Sequence, residues 1–289
     1  MTDPPPPLLD LANPFGSDPV RVRLLEPADA DQSSLAEQLR SGAYDRPFLA
    51  EDGTTRALHF CWNYVQSRMR IDDPVALQMP YTRMMMSFLL FHTNPRALLL
   101  LGLGGGSLAK YCHCHLPQAR LVVVETNRDV LALRHEFAVP PDDARFQIVE
   151  GEAGTFVTTC REQWDVILMD AFDRRGLAPG LARREFYEEL RSRVRPNGVL
   201  VANVAGMRSE RDGHVETMRL VWGDNMLVLP VEEDDNEVVF AFRDPTFEPR
   251  WRWIESQAEA MRRRYTIEFP LFARRLKQSR RDVHAAKRP

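Results

Sequence analysis

The sequence predicts an α/β protein built on a parallel sheet with helices on both faces. Three observations predict it. A fully apolar run, Ala97 to Leu101, ends on a glycine-rich loop. A second apolar run, Leu121 to Val124, stops at an acid, Glu125. Strand-like and helix-like stretches then keep alternating to Val204. Such alternation implies a parallel sheet, and ligands of these sheets sit at the carboxyl ends of the strands.

Each element has its own reason. A run as apolar as Ala97 to Leu101, bounded by glycine, reads as a strand buried on both faces. Gly102, Gly104, Gly105 and Gly106 let the backbone turn tightly and approach a ligand. Ser107 to His115 is predicted as a helix whose first amides point back at that loop, and Pro117 ends it. Glu125, closing the second strand, is placed to accept hydrogen bonds from the two hydroxyls of a ribose. The dinucleotide fingerprint G-x-G-x-x-G would require glycine where Ser107 stands. Crowded glycines suit a ligand without a pyrophosphate, and S-adenosylmethionine is such a ligand. A ligand-free tight turn and a dinucleotide-dependent oxidoreductase stay open at this point.

Downstream, Arg128 to Phe137 is predicted as a helix, and Phe146 to Val149 as a third strand closed by Glu150-Gly151-Glu152. Thr155 to Arg161 is a short helix. Trp164 to Met169 is a fourth buried strand ending at Asp170. Arg183 to Val194 is a helix, Arg195 to Gly198 a turn, and Val199 to Val204 a fifth strand. The loop glycines, Glu125, Glu152 and Asp170 therefore share one edge of the sheet. Leu227 to Val231 and Glu237 to Phe242 form an antiparallel pair across EEDDN, and Trp251 to Tyr265 is a helix.

The flanks read differently. Residues 1 to about 45 look loosely structured, with a polyproline run, Pro4 to Pro7, and one short strand, Val20 to Leu25. Residues 54–71 are rich in aromatic and β-branched side chains and read as a hairpin. Tyr81 to His92 reads as a helix with a wide apolar face. The strongly basic stretch after Tyr265 reads as a solvated charged tail. The resulting division is an N-terminal segment with a small β element (1–80), a Rossmann-like nucleotide-binding catalytic domain (81–245), and a C-terminal helix with a basic tail (246–289).

A formal charge of −3 over 289 residues gives no global attraction to nucleic acid or membrane. No apolar run approaches the roughly 20 residues that span a bilayer. The start, MTDPPPPLLD, is acidic and proline-rich, unlike a signal peptide. Four scattered cysteines suggest reduced thiols in a cytoplasm. Cys112-His113-Cys114-His115 has metal-capable side chains, but residues one or two apart on a helix do not share a face. Only Cys112 and His115 could converge, and two ligands do not make a structural zinc site. No metal is expected.

NPRALLLLGLGGGSL, the acid after VVV, EGEAGTF, and WDVILMDAFD followed by EFYEELRSRVRPNGVLVAN resemble the polyamine aminopropyltransferases, the spermidine synthase family. VQSRMRIDDPVALQMPYTRMMM is similar too, and the likeness is greatest to the shorter bacterial spermidine synthase-like branch. It spans roughly residues 56 to 205. The resemblance implies a class I S-adenosylmethionine-dependent methyltransferase-like (Rossmann-like) sheet behind a small N-terminal β element. It implies S-adenosylmethionine or its decarboxylated form as co-substrate, or methylthioadenosine as ligand. By the same resemblance Gly102, Gly104 and Gly106 match the nucleotide loop, Glu125 the ribose-binding acid, and Glu152 the acid near the adenine. Asp170 matches the proposed base, Asp173 the second acid of its pair, and Tyr81 a tyrosine near the amine. Typical members carry an aspartate where Gly105 stands, and Tyr-Gln-Glu where this chain has Tyr81-Thr82-Arg83. Losing the loop acid removes a repulsion against the carboxylate of intact S-adenosylmethionine.

The chemistry fits those residue types. An amine attacks the carbon beside a sulfonium, which leaves unprotonated. A primary amine with a pKa near 10 is mostly protonated at neutral pH, so a carboxylate must bind it, take its proton and hold it in line. The expectation is a cytoplasmic transferase that alkylates a small-molecule amine, without nucleic-acid or membrane partners and with a homodimer left open. The alternatives are an S-adenosylmethionine-dependent methyltransferase and a non-catalytic nucleotide-binding module.

Overall fold

A computed structural model of the chain describes residues 7–16, 18–173, 176–177, 179–232 and 236–285. Among them, the first unit is a small antiparallel sheet of β1 (Leu9–Ala12), β2 (Arg21–Leu24), β3 (Phe48–Glu51), β4 (Thr55–Cys61) and β5 (Tyr64–Arg70), paired in that order. Between β2 and β3 lies α1 (Gln32–Ser41), capped by the Asp31 carboxylate on the Ser33 and Ser34 amides. The loosely structured N-terminus expected from composition is thus replaced by strands and a helix. Leu9, Leu11, Val22, Leu24, Leu35 and Leu39 bury together, and they are spaced too sparsely among polar residues to announce a core. Of the expected polyproline run, Pro4 to Pro6 lie outside the described residues.

α2 (Pro80–Met85) starts on a proline, which suits a first helical position. It tightens into a 3₁₀ turn over Met86–Leu90, where an unbroken helix to His92 was expected. That turn is buried throughout, so packing sets its pitch rather than propensity.

The main sheet follows from β6 (Ala97–Leu101), α3 (Ser107–His115), β7 (Arg120–Glu125), α4 (Arg128–Ala132), β8 (Phe146–Glu150), α5 (Ala153–Thr159) and β9 (Trp164–Met169). The chain then forms a separate two-stranded ladder of β10 (Phe172–Asp173) and β11 (Gly176–Leu177) and returns to the main sheet through α6 (Arg184–Arg193), β12 (Val194–Val204), α7 (Arg208–Trp222), β13 (Met226–Val231) and β14 (Asn236–Phe242). The described strands form a seven-stranded sheet in the order β13-β14-β12-β9-β6-β7-β8. β6, β7, β8, β9 and β12 run parallel, and β14 runs against β12 and β13. This is the class I methyltransferase-like architecture. The chain moves outward one way from β6 to β8 and returns to β9 on the other side. β6 and β9 therefore flank the switch point, where a crevice opens.

β6 shows why both faces are covered. Leu98 and Leu100 join one core with α2, α3 and the C-terminal helices, while Leu99 and Leu101 join the other with α5, α6 and α7. The predicted turn at Arg195 to Gly198 is a register shift inside β12, between Val194 and Val199. The helix expected over Arg128 to Phe137 is α4 followed by a short 3₁₀ turn, Leu133–His135. Residues 233–235 of the EEDDN turn lie outside the described residues, and β13 pairs β14 up to Val231 and Asn236.

After α8 (Trp251–Tyr265), the expected solvated tail is instead α9 (Phe269–Ala285). Phe269, Phe272, Ala273 and Leu276 recur at helical spacing and are buried. The basic residues between them obscure that stripe in the sequence.

Candidate active site

The small sheet is fastened over the large one by ion pairs. Arg46 meets Asp129 of α4 at 2.8 Å, and Arg23 and Arg56 reach Glu136 at 2.6 and 3.0 Å. This sets β5 above the glycine loop, where Ser67 Oγ lies 3.2 Å from Ser107 Oγ. Between the two sheets lies a cavity of about 1440 Å³ at the carboxyl ends of the parallel strands.

Gly102, Gly104, Glu125, Glu152, Asp170 and Tyr81 all line it. Gly102 has φ 97°, and a Cβ there would collide with the Asp170 carbonyl. β6 and β9 can run this close past their ends only because residue 102 has no side chain. Gly105 and Gly106 are buried and shape the loop from behind. A Cβ on Gly105 would stand 2.6 Å from Ser67 Oγ and 2.9 Å from Ser67 Cβ.

Glu125 grips the loop it faces. One carboxylate oxygen accepts the Leu103 amide at 2.9 Å and the other the Asn127 amide at 2.8 Å. Each oxygen keeps a further lone pair towards the cavity side of the loop for another donor. Glu152 is the N-cap of α5, accepting the Gly154 and Thr155 amides at 2.9 and 2.6 Å. Its partial burial raises its pKa, but these bonds outweigh that and hold it below the usual carboxylate range.

Asp170 follows directly on β9, and its amide donates to the Leu101 carbonyl at 2.9 Å. Its carboxylate accepts from Tyr81 Oη at 3.0 Å and from Asn203 Nδ2 at 2.9 Å. Burial pushes its pKa up, and the two donated hydrogen bonds only partly counter this. The result is a rigidly held carboxylate with a raised proton affinity. Asp173 lies in β10, but its side chain falls outside the described residues, as does Arg174.

Asn203 escaped the sequence reading. It ends the apolar run VLVANV at the same sheet edge as Asp170, so the strand-end logic that found the acid would also have found the amide. It is 3% exposed, and its Oδ1 is buried without a partner. The Cys112-His113-Cys114-His115 side chains diverge. Cys112 is buried near Met86 Sδ, its thiol pushed up to about 12 by burial, and His113 turns to Asp143. His115 leans on Tyr111.

Residues 78–216 match the family model of the spermine/spermidine synthase domain. A polyamine aminopropyltransferase of Chromobacterium violaceum is 33% identical over 236 residues, covering 81% of this chain and 90% of that protein. Among solved structures, a probable spermidine synthase from Corynebacterium glutamicum superposes with a TM-score of 0.62 at 19% identity, covering 75% of this chain and 83% of that one. Human methyltransferase-like protein 13, solved in complex with SAH, gives 0.60 at 21% identity, covering 65% and 93%. At these identities the structural likeness carries the fold.

Proposed function

The chain belongs to the spermine/spermidine synthase family and is a transferase, and from that premise we propose that it moves an aminopropyl group from decarboxylated S-adenosylmethionine to an amine bound at Asp170. The glycine loop and Glu125 hold the nucleoside, with the Glu125 oxygens on the ribose hydroxyls. The acceptor ammonium docks on the Asp170 carboxylate, with the lone Asn203 Oδ1 as a second acceptor beside it. Asp170 takes one proton, and the freed nitrogen pair attacks the carbon next to the sulfonium. The C–N bond forms as the C–S bond breaks. The electron pair returns to sulfur, leaving neutral methylthioadenosine. The proton on Asp170 then passes to solvent. We place the reaction in the cytoplasm, in keeping with four cysteines that form no disulfide.

The observation that carries this reading is the Tyr81–Asp170–Asn203 cluster at the switch point. It fixes one carboxylate in place, and burial raises the proton affinity of that carboxylate, as a base for an ammonium requires. Methyl transfer from intact S-adenosylmethionine is the second reading, favoured by Gly105, which puts no acid against the donor's carboxylate. A turnover assay with separately labelled aminopropyl and methyl donors distinguishes them by product, methylthioadenosine or S-adenosylhomocysteine. Turnover that survives Asp170→Asn would overturn the role of Asp170 as the base.

A further inference from the structure

The charges around the cavity are not those a polycation would meet. Among the described residues, three of its acids are engaged with backbone amides. Glu125 and Glu152 are held as above, and Glu210 accepts the Met207 amide at 2.9 Å. Asp170 alone remains to receive an amine. Against it the same cavity carries Arg68, Arg83, Arg208 and Arg211.

These arginines are not equally spoken for. Arg83 donates to the Leu77 and Gln78 carbonyls and lies 3.6 Å from Glu268. Arg208 faces Asp212 at 3.8 Å. Arg211 has no carboxylate within ion-pairing distance among the described residues. Its Nη1 donates to the Gly206 carbonyl at 2.7 Å, and its Nε is buried without a partner. A guanidinium carries five donors and stays charged, so this one is under-satisfied and electrostatically uncompensated. It sits on the first turn of α7, where the helix dipole adds positive potential. The connection that carries it begins at Asn203, the residue bonded to Asp170. One short segment thus supports both the amine-binding carboxylate and an unpaired cation.

We propose that Arg211 anchors a carboxylate subsite in this cavity, facing either a carboxylate on the acceptor, away from its reacting amine, or the amino-acid carboxylate of the donor. This deepens the transferase reading and rests on it. A diamine would bring its second ammonium towards the uncompensated Arg211 guanidinium, whereas an amino acid would pair both its ends. A guanidinium takes a carboxylate through two parallel hydrogen bonds, which adds orientation to charge.

The test is calorimetry on the full chain. With methylthioadenosine saturating, the acceptor arm compares 4-aminobutanoate, n-butylamine and 1,4-diaminobutane, which share an amine and differ at the far end. The donor arm compares S-adenosylmethionine with its decarboxylated form. In at least one arm the carboxylate-bearing ligand binds about ten- to hundredfold more tightly than its partner, the range expected of a hydrogen bond to a charged group. Arg211→Gln erases that preference, and Arg211→Lys, which keeps the charge but not the paired hydrogen bonds, retains only part of it. The arm that responds identifies the source of the carboxylate. Absence of a carboxylate preference in both arms overturns the subsite in the wild-type protein alone, even if the Gln variant fails to fold. A preference that persists in a folded Arg211→Gln also overturns it. Transfer is scored separately. If none of the amines is alkylated from either donor, the transferase reading fails for this acceptor class, while the binding data still decide the subsite.

Discussion

Asp170→Asn separates catalysis from structure because the surroundings can absorb the change. In the wild type both carboxylate oxygens accept, from Tyr81 Oη at 3.0 Å and Asn203 Nδ2 at 2.9 Å. An asparagine keeps one acceptor, which Tyr81 can retain. Its new amide would face the Asn203 amide, donor against donor. Asn203 resolves this by a half-turn, because its Oδ1 now has no partner and can accept. Two charge-assisted bonds, worth about 1.5–3 kcal/mol each, become two neutral ones of about 0.5–1.5 kcal/mol. The cost of burying a charge disappears at the same time, so the net change stays within about 1 kcal/mol. The melting midpoint should move by less than about 4 °C. Turnover should fall by about 10²–10⁴, the scale of a positioned acid–base group. The pH dependence has a definite sign. Burial raises the folded pKa of Asp170 above its unfolded value, so the native state binds the proton more tightly. The contribution of Asp170 to wild-type stability is greatest below the unfolded carboxyl pKa and is lost as pH rises through the folded one. The asparagine variant lacks this loss, so it gains on the wild type across that window and holds its gain above it. The assays are labelled-donor turnover and thermal melts on both sides of the window. Near-normal turnover in a folded variant would refute the base role. An advantage that grows as pH falls would refute the burial argument.

Glu125→Ala should weaken methylthioadenosine binding by about 1.5–3 kcal/mol, with calorimetry as the check and Glu125→Gln as a control for the Leu103 and Asn127 amides; wild-type affinity in both sinks the ribose role. Glu152→Ala removes the cap of α5 and should cost about 0.5–2 kcal/mol. Because the folded pKa of Glu152 is depressed, that contribution is present above its unfolded pKa and is lost as pH falls through the folded one, so wild-type and mutant melts should differ at neutral pH and converge at acid pH. Gly105→Asp alone should destabilise, since Ser67 Cβ stands only 2.9 Å from the new Cβ. Combined with Ser67→Gly it should shift donor preference towards decarboxylated S-adenosylmethionine, and an unchanged ratio of the two dissociation constants argues against the charge explanation.

What the sequence displays follows from how each element is stabilised. β6 and β9 are buried on both faces and read as unbroken apolar runs, so their ends, and hence Gly102 and Asp170, could be located by eye. β1 and β2 bury one face with alternate leucines and valine, and four residues of alternation are too few to stand above a polar background. The basic residues of α9 hide its apolar stripe, because helical spacing separates Phe269, Phe272 and Leu276 by charged neighbours. α2 changes pitch at Met86 for a tertiary reason that no local pattern records.

The site divides along the same line. Residues that act through the strand they terminate were legible, because strand ends are marked by a change from apolar to polar. Residues that act through a contact across the cleft were not. Ser67 reaches the glycine loop because Leu58 and Met69 share a core with α3 and three arginines tie the small sheet to Asp129 and Glu136, and those partners lie far apart in the chain. That contact also gives Gly105 a second meaning. Sequence comparison registers a missing acid, while the structure shows a position that Ser67 fills from the other side. The two substitutions are therefore coupled, and restoring the acid without vacating residue 67 would test packing rather than charge. The same reasoning applies to Arg211, whose neighbours in sequence say nothing of the cavity it faces. Its interest arises from the loop that joins it to Asn203, and through Asn203 to the carboxylate at the centre of the site.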